Sequence, residues 1–463
     1  MTLLFPDTVE HGEAKQALAA MIQQAFESAH ARGVEKRRVL RAEVPVEDVV
    51  PLQWLEAQGN RSRGYWCDRD REYELAGAGT ADILSADAEC DYDELIDRLR
   101  NAIAAVHPNL RYFGGMRFSQ RSPIAGKWQP FGAYRFVLPR FEVLNRGAQS
   151  YLACNAIVEP NGGDELGKVL EALEAMPFPG DASSAPIPVP TRRIDTTDRA
   201  RWSSEIDRAL QAFSVNRLKK VVLAREVVFE FEEVPDPVAL LRKLAQDAQH
   251  CAHFCFQPKY GAAFIGASPE RLYKRQSRYV LSEAVAATRP RGATDAEDAA
   301  LEAELLASDK DIREHRFVRD SVCADLGARC KTVHVDKDLS VLKLPNVQHL
   351  CTRIEGILEQ DNTDADLLRT LHPTPAVGGL PKEGAVRWIA EAEPFDRGWF
   401  AGPVGWISGD GAEFAVGIRS GLVSDKTLSV YAGAGIVPGS VAEEEWTEIE
   451  NKLSPFLGIL TKP

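Results

Sequence analysis

Leu218-Lys-Lys-Val-Val-Leu-Ala-Arg225 is the stretch from which the rest of the chain can be read. Its β-branched, apolar centre favours an extended backbone, so it is a strand entered through two lysines. Side chains alternate across a strand, which puts Lys220, Val222 and Ala224 on one face and Lys219, Val221 and Leu223 on the other. A lysine held beside Val-Val-Leu is set to lose part of its hydration. That lowers an ammonium pKa and makes a neutral amine available as a base. The bland alternative is a strand-end lysine whose head reaches solvent.

On either side of this stretch, strands are predicted over 221–228, 262–265, 413–418 and 427–431, and helices over 198–213, 309–326 and 443–453. Upstream, Tyr134-Arg-Phe-Val-Leu-Pro139 and Tyr151-Leu-Ala-Cys154 read as strands and 164–175 as a helix. The strands come in clusters and not in regular strand–helix alternation, which points to an α+β protein over a doubly wound sheet. One seam interrupts the pattern. The segment 177–190 holds five prolines with Gly and Ser, and can continue neither a helix nor a central strand.

The chain has 463 residues, a length that by itself suggests about three domain-sized units or one large two-lobed enzyme. With 44% hydrophobic and 27% charged residues it is an ordinary globular composition. The formal charge of −13 argues against a nucleic-acid or anionic-membrane surface, which would need a basic footprint. Pro6 interrupts the N-terminus before any apolar signal region develops, and no run approaches the ~18 apolar residues of a membrane span. Eight cysteines are too dilute for a disulfide framework. Cys251-Ala-His253-Phe-Cys255 lies in a strand-like run with no second ligand pair, so its thiols are read as core residues. A reduced, cytoplasmic protein is the expectation.

Most of the chemistry lies beyond the seam. Gly266-Ala-Ser-Pro-Glu-Arg271 is a tight turn after an apolar strand. A carboxyl there can keep its proton and act as a general acid, or simply cap the turn. On the helix from Asp309, Asp311 and Glu314 stand at i and i+3. Near the C-terminus Glu445, Glu448 and Lys452 stand at i, i+3 and i+7. Each is either a solvated helix face or half of a hard-cation site, and a cation would bridge protein carboxylates to an anionic substrate. Tyr431-Ala-Gly-Ala-Gly-Ile436 is expected to follow a strand, with its glycine amides open to an anion; it lacks the third glycine of a dinucleotide fingerprint. Gly417-Ile-Arg419 is expected to carry a forked guanidinium on a neighbouring strand. The run 372–381 is a rigid loop dense in Pro and Gly, and His349 sits in a short apolar run.

Taken in order, these segments resemble the chorismate-utilising enzymes, and within them the isochorismate synthases. The resemblance is carried by Lys220-Val-Val-Leu-Ala-Arg225, Gly266-Ala-Ser-Pro-Glu270, Thr288-Arg-Pro-Arg-Gly292, Ser308-Asp-Lys-Asp-Ile-Arg-Glu-His315, Val347-Gln-His349, His372-Pro-Thr-Pro-Ala-Val377, Gly417-Ile-Arg-Ser420, Ala432-Gly-Ala-Gly-Ile436 and the stretch from Glu445 to Lys452. It is dense from Leu218 onward and thinner upstream, at Phe113-Gly-Gly115 and Phe131-Gly-Ala-Tyr-Arg-Phe-Val-Leu-Pro139.

The resemblance implies an α+β fold with large mixed sheets in a layered sandwich and a cleft built mainly by the C-terminal half. It makes 1–176 and 191–463 parts of one catalytic unit joined by the connection 177–190. It implies isomerisation of chorismate to isochorismate, with Lys220 as the base that activates water, and Glu270 as the acid that protonates the departing hydroxyl. Mg²⁺ would be held by Glu314 and Glu448, with Asp311 and Glu445 around it. Thr288, His349, Ala376, Arg419, Gly433, Gly435 and Lys452 would line the substrate. No protein partner, nucleic acid or membrane is implied. Within the family, small Ala376 and Ala286 resemble neither the salicylate and anthranilate synthases, with a larger polar residue at the first position, nor the aminodeoxychorismate synthases, with a lysine at the second. The alternatives are a salicylate synthase, an amination subunit working with a glutaminase, and a catalytically silent chorismate-binding regulator. One departure stands out: Ala287 occupies a position that is usually glycine.

Overall fold

Two arms of antiparallel strands diverge from the long strand Tyr134–Arg146 in this computed structural model, which describes residues 8–47, 49–59, 61–89, 91–103, 107–119, 126–160, 164–179, 186–344 and 347–461. One arm passes through Tyr73–Ala86, Arg63–Cys67, Ala252–Lys259, Ala262–Ser268, Ser420–Ser424 and Thr427–Ile436 to Lys220–Glu230. The other passes through Tyr112–Met116, Pro403–Ile407, Gly411–Val416, Arg271–Gln276 and Tyr279–Pro290 to Val347–Leu358. Every ladder between these strands is antiparallel, within the α+β class that the clustering of strands implied. Strands from before the seam hydrogen-bond strands from after it in both arms, at Tyr65↔Cys255 and Phe113↔Trp406. The seam itself is described only at its ends, since 180–185 lie outside the described residues, as do 1–7 of the N-terminal reading.

Aromatic side chains pack between the arms: Phe113 of one meets Trp66 and Phe256 of the other, with ring centroids 6.3 and 5.9 Å apart. Trp128, Phe131, Phe256, Phe264 and Trp399 are buried with ring centroids 5.0–6.3 Å apart, in tilted and edge-to-face pairs. Rings of this size each remove some 150–250 Å² from water, and edge-to-face contact satisfies their quadrupoles.

Two strand pairs cross from one arm to the other at the same corner. Ala262–Ser268 leads through Pro269 and Glu270 into Arg271–Gln276, while Gly411–Val416 leads through Gly417, Ile418 and Arg419 into Ser420–Ser424. The two crossings are bonded together: the Val416 amide donates to the Glu270 carbonyl at 3.0 Å, and the Ala267 amide to the Arg419 carbonyl at 3.1 Å. Strands that switch sheets do so at bends and bulges, and the register slips here between Arg271 and Tyr273. The expectation of a strand reaching 418 is corrected accordingly. The strand ends at Val416, and Arg419, at φ +51°, belongs to the crossing.

Two other boundaries move. Gly433 and Gly435 lie inside the strand Thr427–Ile436, opposite Ala224 and Val222, and not after it. The neighbouring ladder stops at Ser420↔Tyr431, so Ala432–Ile436 is paired with one strand only and keeps an open edge. The last helix spans Ala442–Thr461 and runs through Pro455. Proline cannot donate to the Asn451 carbonyl, but the Ser454 hydroxyl does so at 2.8 Å, and the apolar face of Leu453, Phe456 and Leu460 holds the helix down.

Candidate active site

Lys220 opens the strand Lys220–Glu230 with its side chain 1% exposed, donating to Glu314 Oε1 at 2.9 Å. Glu314 comes from the helix Asp309–Gly327, which starts where Ser308 caps the Asp311 amide. Close by, Gly435 leaves room for this pair. A Cβ there would lie 2.7 Å from Glu314 Oε1 and 3.1 Å from Lys220 Cε.

Glu270, at the strand crossing, is 5% exposed. Burial pushes its carboxyl up to about 7, against the opposing pull of the Thr374 hydroxyl and the charges of Lys220 and Lys452. Thr374 Oγ1 donates to Glu270 Oε1 at 3.2 Å, and the guanidinium of Arg69 holds the preceding Pro269 carbonyl at 2.9 Å. Thr374 belongs to the Pro- and Gly-rich loop, which Arg397 ties to the lysine strand by donating to the carbonyls of Val377 and Val222, both at 2.9 Å. Sequence reasoning picked out the loop but missed Thr374 and Arg397, because Thr374 meets Glu270 104 residues away and Arg397 reaches Val222 175 residues away.

Arg419 and Lys452 face the open strand edge. The Lys452 ammonium donates to the Gly433 carbonyl at 2.9 Å and pairs with Glu448 one turn earlier. Among the described residues Arg419 is bonded only weakly, to the Lys452 carbonyl at 3.4 Å, and its Nη2 has no partner. Such a guanidinium is placed to receive a carboxylate.

Ala287 is the residue whose conformation was least legible. It sits at φ +61°, in the left-handed region that favours glycine, where the ladder with Val347–Leu358 slips between Ala286 and Thr288. The bulge directs the Ala287 carbonyl at His349 Nδ1, 3.0 Å away, with Thr288 Oγ1 at 3.2 Å.

Lys220, Glu270, Thr288, Glu314, His349, Ala376, Arg419, Gly433, Gly435, Glu448 and Lys452 line one cavity. Asp311 and Glu445 do not. They line an adjoining cavity that shares Thr288, Glu314, Gly435 and Glu448 with the first and also carries Glu443 and Glu444. Asp311 is engaged by Arg289 at 2.8 Å. Among the described residues, no three His, Cys, Asp or Glu side chains converge as a formed ion site. The donor set nevertheless fits a hard divalent cation: Asp311, Glu314, Glu445 and Glu448, from two helices, bring four carboxylates to one cavity, and burial, then the nearby charge of Glu448, push Glu445 up to about 7. The Cys251–Cys255 segment is not a competing centre. Both thiols are buried, and His253 Nε2 lies 2.8 Å from the Ala248 carbonyl.

A buried lysine and a carboxyl that titrates near 7 share one cavity with an arginine that has an unpartnered nitrogen among the described residues, an arrangement suited to an enzyme acting on an anionic small molecule. Comparison with known proteins then gives the family: residues 21–461 match the model described as chorismate binding enzyme, and the chain belongs to that family. It is 34% identical to isochorismate synthase 2, chloroplastic, of Arabidopsis thaliana over 90% of this chain and 80% of the relative. Identity to isochorismate synthase MenF of Bacillus subtilis is 31%, over 90% and 92%. The solved structure of MenF, the menaquinone-specific isochorismate synthase from Escherichia coli, superimposes with a TM-score of 0.83 at 28% identity, covering 95% of this chain and all of that one.

Proposed function

We propose that the chain is an isochorismate synthase, exchanging the C4 hydroxyl of chorismate for a hydroxyl from water at C2. The observation that carries this reading is the buried Lys220 facing the same cavity as a Glu270 whose carboxyl titrates near 7. An exchange of hydroxyls needs one group to take a proton from water and another to give one to the leaving oxygen, and no redox partner. As the free amine, Lys220 takes the proton of the attacking water. Glu270, about half protonated at neutral pH, delivers its proton to the departing hydroxyl, with Thr374 fixing one carboxyl oxygen so that the other serves the substrate. Arg419, Lys452 and the amides of Gly433 and Gly435 receive the enolpyruvyl carboxylate, while Thr288, His349 and Ala376 bound the ring. Glu314 and Glu448 would hold Mg²⁺, with Asp311 and Glu445 beyond them. When bound, the ion supplies positive charge that offsets the ring carboxylate.

Both halves of the chain serve this unit, 1–176 contributing partner strands and 191–463 the reacting groups. The similarity to MenF proteins supports a role in menaquinone or phylloquinone synthesis, and a cytoplasmic location; no helix among the described residues is long and apolar enough to cross a membrane. The test is incubation of purified protein with chorismate and Mg²⁺. Isochorismate is the expected product, and both Lys220→Ala and a chelator abolish its formation. Accumulating salicylate and pyruvate, or a requirement for ammonia or glutamine, would overturn the assignment.

A further inference from the structure

Chorismate is a dianion with many hydrogen-bond acceptors and one donor, its ring hydroxyl. In the cavity wall Lys220, Arg419, Lys452 and backbone amides donate, and the carboxylates of Glu314 and Glu448 are already engaged by Lys220 and Lys452. His349 is different. A carbonyl oxygen only accepts, so the Ala287 carbonyl 3.0 Å from Nδ1 obliges that nitrogen to carry the proton. Nε2 is then left with a lone pair and no hydrogen, and among the described residues it has no partner, although the residue is 6% exposed and lines the cavity. Burial, with Arg419 and Lys452 nearby, pushes the imidazole down to about 3, so this neutral form persists throughout the working pH range. The left-handed Ala287 at the bulge is what aims the carbonyl and thereby selects the tautomer. A buried acceptor without a hydrogen-bond donor costs free energy until a ligand supplies one.

We propose that His349 Nε2 accepts a hydrogen bond from the ring hydroxyl of bound chorismate, holding the leaving oxygen so that the Glu270 proton reaches it. The inference rests on the isochorismate synthase reading and assigns the group that recognises the hydroxyl. It also explains how a cavity rich in donors discriminates for a substrate that bears one: an analogue lacking the hydroxyl leaves Nε2 unpaired.

The experiment uses two competitive inhibitors that are chorismate analogues differing only in the presence of the ring hydroxyl, titrated by calorimetry with Mg²⁺ present. Wild type binds the hydroxylated analogue about tenfold more tightly, the scale of one neutral hydrogen bond. His349→Asn, which can keep a donor to the Ala287 carbonyl but lacks the second nitrogen, brings the ratio close to one, and His349→Gln restores part of it. An unchanged ratio in His349→Asn would sink the proposal. A readout without any substitution is ¹⁵N resonance of the imidazole. Nε2 is expected as the unprotonated nitrogen, shifting only when the hydroxylated analogue binds, and a protonated Nε2 overturns the assignment. Turnover of chorismate by the wild type is scored separately: its absence counts against the function, whereas turnover with an unchanged ratio counts against His349 alone.

Discussion

Glu270, the proposed acid, shows how burying a carboxyl burdens the fold. Its carboxyl is held near 7 by burial, well above the ordinary value of 4.5. Below pH 4.5 both folded and unfolded chains carry the proton and nothing is lost. Between 4.5 and 7 the unfolded chain ionises first, so stability falls as pH rises, by up to about 3 kcal/mol across the interval. Glu270→Gln is therefore expected to raise the melting temperature at pH 8 and hardly change it at pH 4, while lowering kcat by about 10²–10⁴-fold. In the wild type kcat/KM should decline as pH rises through about 7, where the acid loses its proton. Ala287 carries a second local cost. Ala287→Gly at φ +61° should leave stability equal or higher, whereas Ala287→Val, β-branched in the left-handed region, should cost about 2 kcal/mol in denaturant titration. Both residues stood out in the sequence, Glu270 as the end of an apolar strand and Ala287 as a departure from glycine. Their environments did not, because burial is set by residues far away in the chain.

At the scale of elements, the strand Thr427–Ile436 matters for what it lacks. Its partner ladder stops at Tyr431, so its last residues offer an open peptide edge, and glycine at 435 lets the Lys220–Glu314 pair lie against the strand's face. A methyl at 435 would displace this pair, and misplacement of about 1 Å can cost on the order of 10²-fold. Gly435→Ala should accordingly lower kcat by roughly 10- to 100-fold, with a denaturation midpoint close to that of wild type. The glycines were legible as a place of close approach. Their position inside a strand was not, since a period-2 pattern cannot say where a neighbouring strand ends. The same holds for the crossing at Gly417–Arg419, which reads as strand because an unbroken apolar run extends from Phe414 to Ile418.

For the whole molecule, the site lies at the corner where two strand pairs leave one arm and enter the other, so its geometry depends on how the arms are clamped. Trp399 touches Phe131, Phe256 and Phe264 at the centre of that clamp. Trp399→Ala should cost about 3–5 kcal/mol, with activity lost in step with unfolding measured by far-ultraviolet circular dichroism. Because strands on both sides of the seam pair in both arms, tryptophan fluorescence and circular dichroism should report one coincident unfolding transition. Residues 1–176 expressed alone, with unpaired strand edges, should not fold. The sequence by itself pointed to the residue types proposed for the chemistry, the class of the fold and a minority of the strands and helices of the C-terminal half, among them Lys220–Glu230, Thr427–Ile436 and the helices Arg199–Ser214, Asp309–Gly327 and Ala442–Thr461. These follow from local pattern and from the order of motifs along the chain. Tertiary structure alone decided that Glu270 titrates near 7, that Thr374 holds it, that Asp311 and Glu445 stand one cavity away from Lys220, and that His349 presents a lone pair. Each of these is a matter of desolvation or of contacts between residues distant in sequence, and neither is written in local order.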